Sequence, residues 1–372
     1  MALVLTEDER MLVDSARGFF ARSSPVAAFR ALRDSGARER YAPSLWAEMA
    51  QMGFAGVLLP ESEGGAGFGY AGAGLIAEEA GRVLAASPLL SCALATEILS
   101  RDGDTEQKAL LTRLADGALL VAFAIDEQPR HDPDRLEVRA APDGEGYVLN
   151  GAKRLVIDGG IAAMLIVAAV TDAGPTLLLV DADAPGVAAK PLDLVDSRNA
   201  ADIRFDGVRL GAGAVIGAIG AATATIERAL DVGRGLLAAE LLGVAQEAFE
   251  RTVAYLKERE QFGVKIGSFQ ALQHRAARLH VGLEIGRGVV LKALRALDEG
   301  DPAASLLASL AKGQMTKTAR QVLDEAVQLH GGIGITDDYD IGLFLKRARV
   351  AGDLFGDDYF QRERLARLAW KI

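Results

Sequence analysis

The chain has 372 residues, of which 50% are hydrophobic and 25% charged, a composition expected of a folded protein with more than one core. Its 41 Lys and Arg against 51 Asp and Glu give a formal net charge of −10, which disfavours nucleic acid and anionic membrane as partners. An anionic ligand held by a few local arginines is compatible with that charge.

MALVLTEDERML has no basic region followed by a long apolar stretch, so no secretory signal is expected. Thr6 and Glu9 stand at capping-box spacing before a helical repeat in TEDERMLVDSARGFFARS. SLWAEMAQMGFAGVLLP and YAGAGLIAEEAGRVL continue the helical period around the loop ESEGGAGFG. ALATEILSRDG and TEQKALLTRLADG complete a helical domain over residues 1–118. The single cysteine, Cys92, excludes an internal disulfide framework and suits a reducing cytoplasm; its context LLSCALA reads as core packing.

From residue 119 to 218 the pattern changes. LLVAFAIDE, RLEVRAA, GYVLNG, AAMLIVAAV, PTLLLVDA and ADIRFDGVRL are short β-prone runs cut by Gly, Pro and Asp turns, which predicts a barrel-like β domain. The strands come as one block, not alternating with helices, which disfavours a doubly wound sheet. Residues 219–372 return to the helical period. A helix of unusual length starts near Thr223, two more long ones follow, and Pro302 and Gly331 fit the start and end of the third. IGLFLKRARVAG and DYFQRERLARLAW finish a helix bundle. The fold class is therefore α+β, mainly α. The longest uncharged run, Leu210 to Ile226, falls short of a membrane span, so a cytoplasmic protein without membrane insertion is expected.

Two features are weak. Gly67, Gly69 and Gly72 satisfy G-x-G-x-x-G, but in a helical context without the βαβ unit that a dinucleotide site needs. His131, His274, His280 and His330 show no metal-ligand spacing, and no metal site is expected.

Two segments carry more. KEREQFGVKIGSFQALQHRAARLH joins the end of one helix, through an Arg-X-Gln-Phe-Gly turn, to the next; AVQLHGGIGIT places two glycines three and four residues after a Gln. On residue physics alone, Arg259 offsets the negative end of its helix. In this order and position, however, the pair closely resembles the two signatures of the acyl-CoA dehydrogenase family, flavoenzymes that desaturate acyl thioesters between the α and β carbons. The order of helices, strands and helices is similar to that family over nearly the whole chain.

The resemblance implies FAD as cofactor. It implies that Arg259 contacts the flavin pyrophosphate, for which a guanidinium fork is suited, and that Phe262 and Gln270, with Gln261 in the same turn, line the cofactor. Gln328, Gly331 and Gly332 match the second segment, where bare backbone admits the adenosine portion. In the family these groups reach a flavin held mainly by a neighbouring subunit, so a homodimer or homotetramer is implied. The β domain matches less well. Leu155 and Ile157 stand where a Trp packs on the isoalloxazine and a Thr bonds near its reactive nitrogen, and IDEQPRHDPD replaces a Gly- and Ser-rich loop.

Desaturation needs a carboxylate beside the α carbon in a site that excludes water. Family members place it in a C-terminal Tyr-Glu-Gly-Thr segment, here Phe355 and Gly356, or just before an Arg on the long helix, here Gly233 before Arg234. Both positions are vacant. Glu240, two turns beyond Gly233 among apolar neighbours, is the candidate base, with an ion pair to Arg234 or another helix as the alternative. Asp357 and Asp358 are further candidates that equally suit a cap on the last helix. Arg234 matches an Arg lining the catalytic pocket.

The expected activity is FAD-dependent α,β-desaturation of an acyl-CoA, with electron-transfer flavoprotein or a similar acceptor as partner. The alternatives are a subunit of a heteromeric dehydrogenase whose paralogue supplies the base or flavin site, and a scaffold that binds ligand without turnover.

Overall fold

The computed structural model describes residues 3–370. In chain order these form α1 (Glu7–Ser23), α2 (Val26–Ser35), α3 (Pro43–Gln51), α4 (Gly69–Arg82), α5 (Leu89–Asp102), and the short α6 (Thr105–Lys108) and α7 (Leu110–Ala115). Strands follow: β1 (Val121–Ala124), β2 (Arg139–Asp143), β3 (Gly146–Ile157), β4 (Met164–Thr171), β5 (Gly174–Asp181), β6 (Val187–Pro191), β7 (Ala200–Leu210) and β8 (Val215–Ile216). Then come α8 (Thr223–Glu258), the two-residue strands β9 (Glu260–Gln261) and β10 (Val264–Lys265), α9 (Gln270–Asp298), α10 (Ala304–His330), α11 (Ile341–Asp353) and α12 (Asp358–Trp370). The expected order of helices, strands and helices is the observed one. None of the described helices is long and apolar enough to cross a membrane.

Two compact units result. One comprises Met1–Arg30, Tyr70–Ala85 and Arg234–Ile372; the other comprises Ala31–Gly69 and Ala86–Gly233.

The second unit is built on a sheet in the order β6-β7-β3-β2-β4-β5-β8, mostly antiparallel, with β1 added parallel to β4. Alternate residues of β3, β4, β5 and β7 turn to one side, where Leu149, Leu165, Val167, Leu178, Val180, Ile203 and Phe205 form its core. Register slips twice where β3 pairs with β7, between Leu149 and Gly151 and between Lys153 and Val156. The second slip accompanies a left-handed Leu155 (φ 48°). Cys92 is buried on α5 of the same unit, and burial pushes its thiol up to about 12, so it packs and does not react. Gly67, Gly69 and Gly72 lie in the approach to α4 and its first turn, with no strand before them among the described residues.

In the first unit the Thr6 capping box forms as expected: the Thr6 hydroxyl accepts from Glu9 N at 3.1 Å and Glu9 Oε2 accepts from Thr6 N at 2.7 Å. The middle of α8 is apolar on every side (Leu236, Leu237, Ala239, Leu241, Leu242 and Val244 are all buried), the mark of a helix enclosed by others. α4 lies close against it because two glycines let backbones touch. A Cβ on Gly81 would sit 2.5 Å from the Glu240 carbonyl oxygen, and one on Gly243 would overlap the Glu78 carbonyl. α10 begins two residues later than its proline suggested: Ala303 is the N-cap, and the Asp301 side chain accepts its N–H at 2.8 Å.

Candidate active site

Four elements of the helical unit converge on the turn after α11. Leu354 ends the helix, and Phe355 and Gly356 then take positive φ angles of 54° and 101°. A left-handed backbone costs a bulky residue of order 1–3 kcal/mol and persists only where neighbours hold it. Three side chains do so. Arg234, completely buried on α8, donates from Nε to the Phe355 carbonyl oxygen at 3.3 Å and lies 5.6 Å from the Phe360 ring centre. Gln361, completely buried on α12, donates from Nε2 to the carbonyls of Phe355 (2.9 Å) and Gly356 (3.1 Å). Lys312, completely buried on α10, donates from Nζ to the carbonyls of Gly352 (2.7 Å) and Gly356 (3.3 Å). Only glycine fits at 356, since a Cβ there would press on Phe360 and on Gln361 Nε2 at 2.8 Å.

The turn at Phe355 and the α8 segment at Arg234, one hundred and more residues apart in sequence, thus meet directly. Around them the electrostatics are mixed. Burial pushes the Lys312 ammonium down to about 7, assisted by Arg234 and opposed by Asp353, Asp357 and Glu240. Glu240 therefore belongs to the surroundings of this turn. Its carboxylate is 3.2 Å from Arg347 Nη1 on α11, with side-chain exposures of 14% and 6%, so the ion pair with another helix, left open by the sequence, is present. The Arg347 guanidinium also lies 5.4 Å over the Phe29 ring. Asp357 is used as a cap: its Oδ1 accepts from Phe360 N at 2.9 Å.

A second cluster forms where α8 and α10 end. The Arg-X-Gln-Phe-Gly turn is a hairpin, β9 against β10, with Gln261 opposite Val264 and Glu260 opposite Lys265. Its two turn residues, Phe262 (φ 55°) and Gly263 (φ 76°), are both left-handed, the geometry of a tight two-residue hairpin loop. Phe262 is 91% exposed, an aromatic side chain offered to solvent on strained backbone. Arg259 and Gln270, the latter opening α9, are exposed on either side of the hairpin. At the end of α10, Gln328, Gly331 and Gly332 are exposed, and beside either glycine the space a Cβ would enter is open. The two segments are joined by Tyr255 and His330: their rings meet at a tilt of 33° with centres 4.5 Å apart, and the Tyr255 hydroxyl donates to the His330 carbonyl at 3.3 Å. An exposed guanidinium, an exposed aromatic face and side-chain-free backbone fit a large anionic cofactor with planar ring systems.

In the β unit, Leu155 and Ile157 lie at the end of β3, with Leu155 N bonded to Asp202 Oδ1 at 3.1 Å. The loop between β1 and β2 is held by β3 and by its own side chains. Buried Lys153 donates to the Ile125 carbonyl (2.9 Å) and pairs with Glu127 (2.5 Å), while His131 Nδ1 stands 2.7 Å from Asp126. Burial draws Lys153 down to about 8, with Glu127 opposing.

Sequence reasoning did not single out Lys312, Gln361, Arg347 or Lys153. The available signal was Lys312 as a lone cation inside the apolar run SLLASLAKGQM, since an unpaired-looking charge on a buried helix face calls for a partner elsewhere. His280, six residues from His274 on α9, stacks on Phe249 with ring centres 6.0 Å apart. Among the described residues no group of three or more His, Cys, Asp or Glu is placed to hold a metal.

Comparison with known proteins covers the chain in three stretches. Models described as acyl-CoA dehydrogenase N-terminal, middle and C-terminal domains match residues 6–118, 122–208 and 222–369. Acyl-CoA dehydrogenase FadE12 of Mycobacterium tuberculosis is 33% identical over 333 residues, covering 86% of this chain and 85% of the relative. Among solved structures, the Tcur3481-Tcur3483 steroid ACAD superposes with a TM-score of 0.90 at 33% identity, covering 98% of each chain. The ChsE4-ChsE5 complex from Mycobacterium tuberculosis does so with a TM-score of 0.92 at 27% identity, covering 100% of each.

Proposed function

We propose, for a chain that belongs to the acyl-CoA dehydrogenase family, the FAD-dependent α,β-desaturation of an acyl-CoA, with electrons passing on to electron-transfer flavoprotein or a similar acceptor. The bound flavin supplies the acceptor for the β hydrogen, which leaves as hydride. The chain's own residues supply the rest. Arg259 is assigned to the diphosphate, Phe262, Gln261 and Gln270 to the wall beside it, and Gln328, Gly331 and Gly332 to the adenosine portion. Glu240 is assigned as the base for the α proton and Arg234 as the residue that holds the pocket wall at Phe355.

One observation carries this reading: an aromatic, almost fully exposed on left-handed backbone, follows the end of α8, glycines that leave open surface follow the end of α10, and Tyr255 and His330 fasten those two helix ends together. A free protomer has no structural use for such a tip, whereas a cofactor reached from a second subunit does. The test is the absorption spectrum of the purified protein, followed by addition of acyl-CoA substrates. A flavin band that bleaches supports the proposal; a colourless protein that gains no flavin on reconstitution sinks it.

A second reading has its own support. The Glu240 carboxylate already pairs with Arg347 at 3.2 Å, so it is engaged by a residue of its own chain. Phe355 leaves the other position without a carboxylate. Two of the similar structures are named as pairs of different chains. A heteromer in which a paralogue brings the base is separated from the first reading by co-expression: flavin or turnover appearing only with the companion favours it.

A further inference from the structure

The buried ammonium of Lys312 is a feature of the bundle that the proposed roles leave unused. Its partners are backbone carbonyls and a hydroxyl: Gly352 O at 2.7 Å, Gly356 O at 3.3 Å and Thr316 Oγ1 at 3.4 Å. A cation taken wholly out of water is costly unless its hydrogen bonds accomplish something, and a buried ion pair would have been the ordinary solution. Here the two carbonyls belong to the residues that open and close one five-residue stretch, Gly352 to Gly356. Inside that stretch lie the end of α11 and the left-handed Phe355. Gln361 and Arg234 grip the same turn from α12 and α8, at Phe355 and Gly356. Lys312 ties the turn back to the last residues of α11. The charged groups that surround it are Asp353 on α11, Asp357 after the turn, and Arg234 and Glu240 on α8.

We propose that Lys312 is a positioning residue for the reaction: it fixes the turn at Phe355 and Gly356 by bridging its two ends, and so sets the place of the pocket wall that Arg234 completes. This rests on the reading of that turn as part of the catalytic pocket. Lys312 touches no reacting atom; it acts through backbone.

Hydrogen exchange on the full-length protein, with its flavin and any companion chain it requires, tests the proposal in Lys312→Met and Lys312→Gln. Met removes the donor, while Gln keeps an N–H on a shorter stem. The expected result in Lys312→Met is exchange at least tenfold faster for amides 352–361, with β1–β8 unchanged and Lys312→Gln nearer to the wild type. Turnover should fall through kcat with KM little altered. Unchanged protection of 352–361 in Lys312→Met overturns the proposal, as does loss of protection spread evenly through all the helices with no recovery in Lys312→Gln. Should Lys312→Met fail to fold, the same comparison is read from Lys312→Gln against the wild type. Exchange needs no turnover, so the desaturation proposal and this one fail separately.

Discussion

Glu240 Oε1 lies 3.2 Å from Arg347 Nη1, both side chains largely withdrawn from solvent, and this contact joins α8 to α11 beside the turn that carries Phe355. Removing one charge of such a pair leaves the other poorly compensated, at a cost of about 3 kcal/mol. Glu240→Gln should therefore lower the urea midpoint and, where Glu240 is the base, abolish flavin bleaching by acyl-CoA while flavin is retained. Arg347→Gln should destabilise comparably, and the double variant should recover part of the loss. Full turnover in Glu240→Gln removes it as the base and leaves the heteromeric reading.

Asp158, buried beside Ser91, which donates to it at 2.7 Å, has its carboxyl raised by burial from 3.8 to about 6. The folded state thus holds this proton more tightly than the unfolded chain, and stability falls as pH rises from about 4 to about 6. Above that window the full cost, about 2–3 kcal/mol, is present. Asp158→Asn keeps the acceptor for Ser91 without the charge. It should melt higher than the wild type at pH 7.5, with the difference disappearing near pH 4. An equal gain at both pH values would mean that charge burial is not the cause.

Phe262 occupies a backbone conformation that Asn tolerates far better. Phe262→Asn should leave the thermal stability of the flavin-free protein unchanged or raise it by about 1 kcal/mol. The same variant should lose FAD more readily on gel filtration, read from the ratio of flavin to protein absorbance. A drop in flavin-free stability would assign Phe262 to the core of the hairpin and not to a ligand.

At Gly243 there is no room for a methyl group against the Glu78 carbonyl. Gly243→Ala should push α4 from α8 and cost about 3 kcal/mol, well above the small gain in helix propensity. Calorimetry of the variant checks this; a stabilised protein would show that the two backbones are not held at that separation.

Much of the fold was legible because its signals are local. Thr6 and Glu9 specify their own cap, the β-prone runs are bounded by their own turns, and the length of α8 follows from an unbroken helical period. The hairpin at Phe262 was not legible as strands. Its arms are two residues each, too short for an alternating pattern, and a Phe at a left-handed position runs against propensity. β6 escaped for a related reason: its residues are mostly exposed and include Lys190 and Pro191, so no apolar alternation marks it.

The sequence by itself determined the order of helices, strands and helices, and, through the resemblance of two short segments, the family. It placed Glu240 on an apolar helix face, because residue spacing along a helix decides which side chains share a side. Only the tertiary structure decided what lies opposite. The meeting of Glu240 with Arg347, and of Lys312, Gln361 and Arg234 with the carbonyls of one turn, depends on how closely α8, α10, α11 and α12 pack. The close approach of α4 to α8 at Gly81 and Gly243 likewise depends on the absence of side chains at two particular crossings. These are contacts between residues far apart in the chain. No local pattern encodes them, because the energy of a buried charge is set by whichever distant group is brought within reach of it.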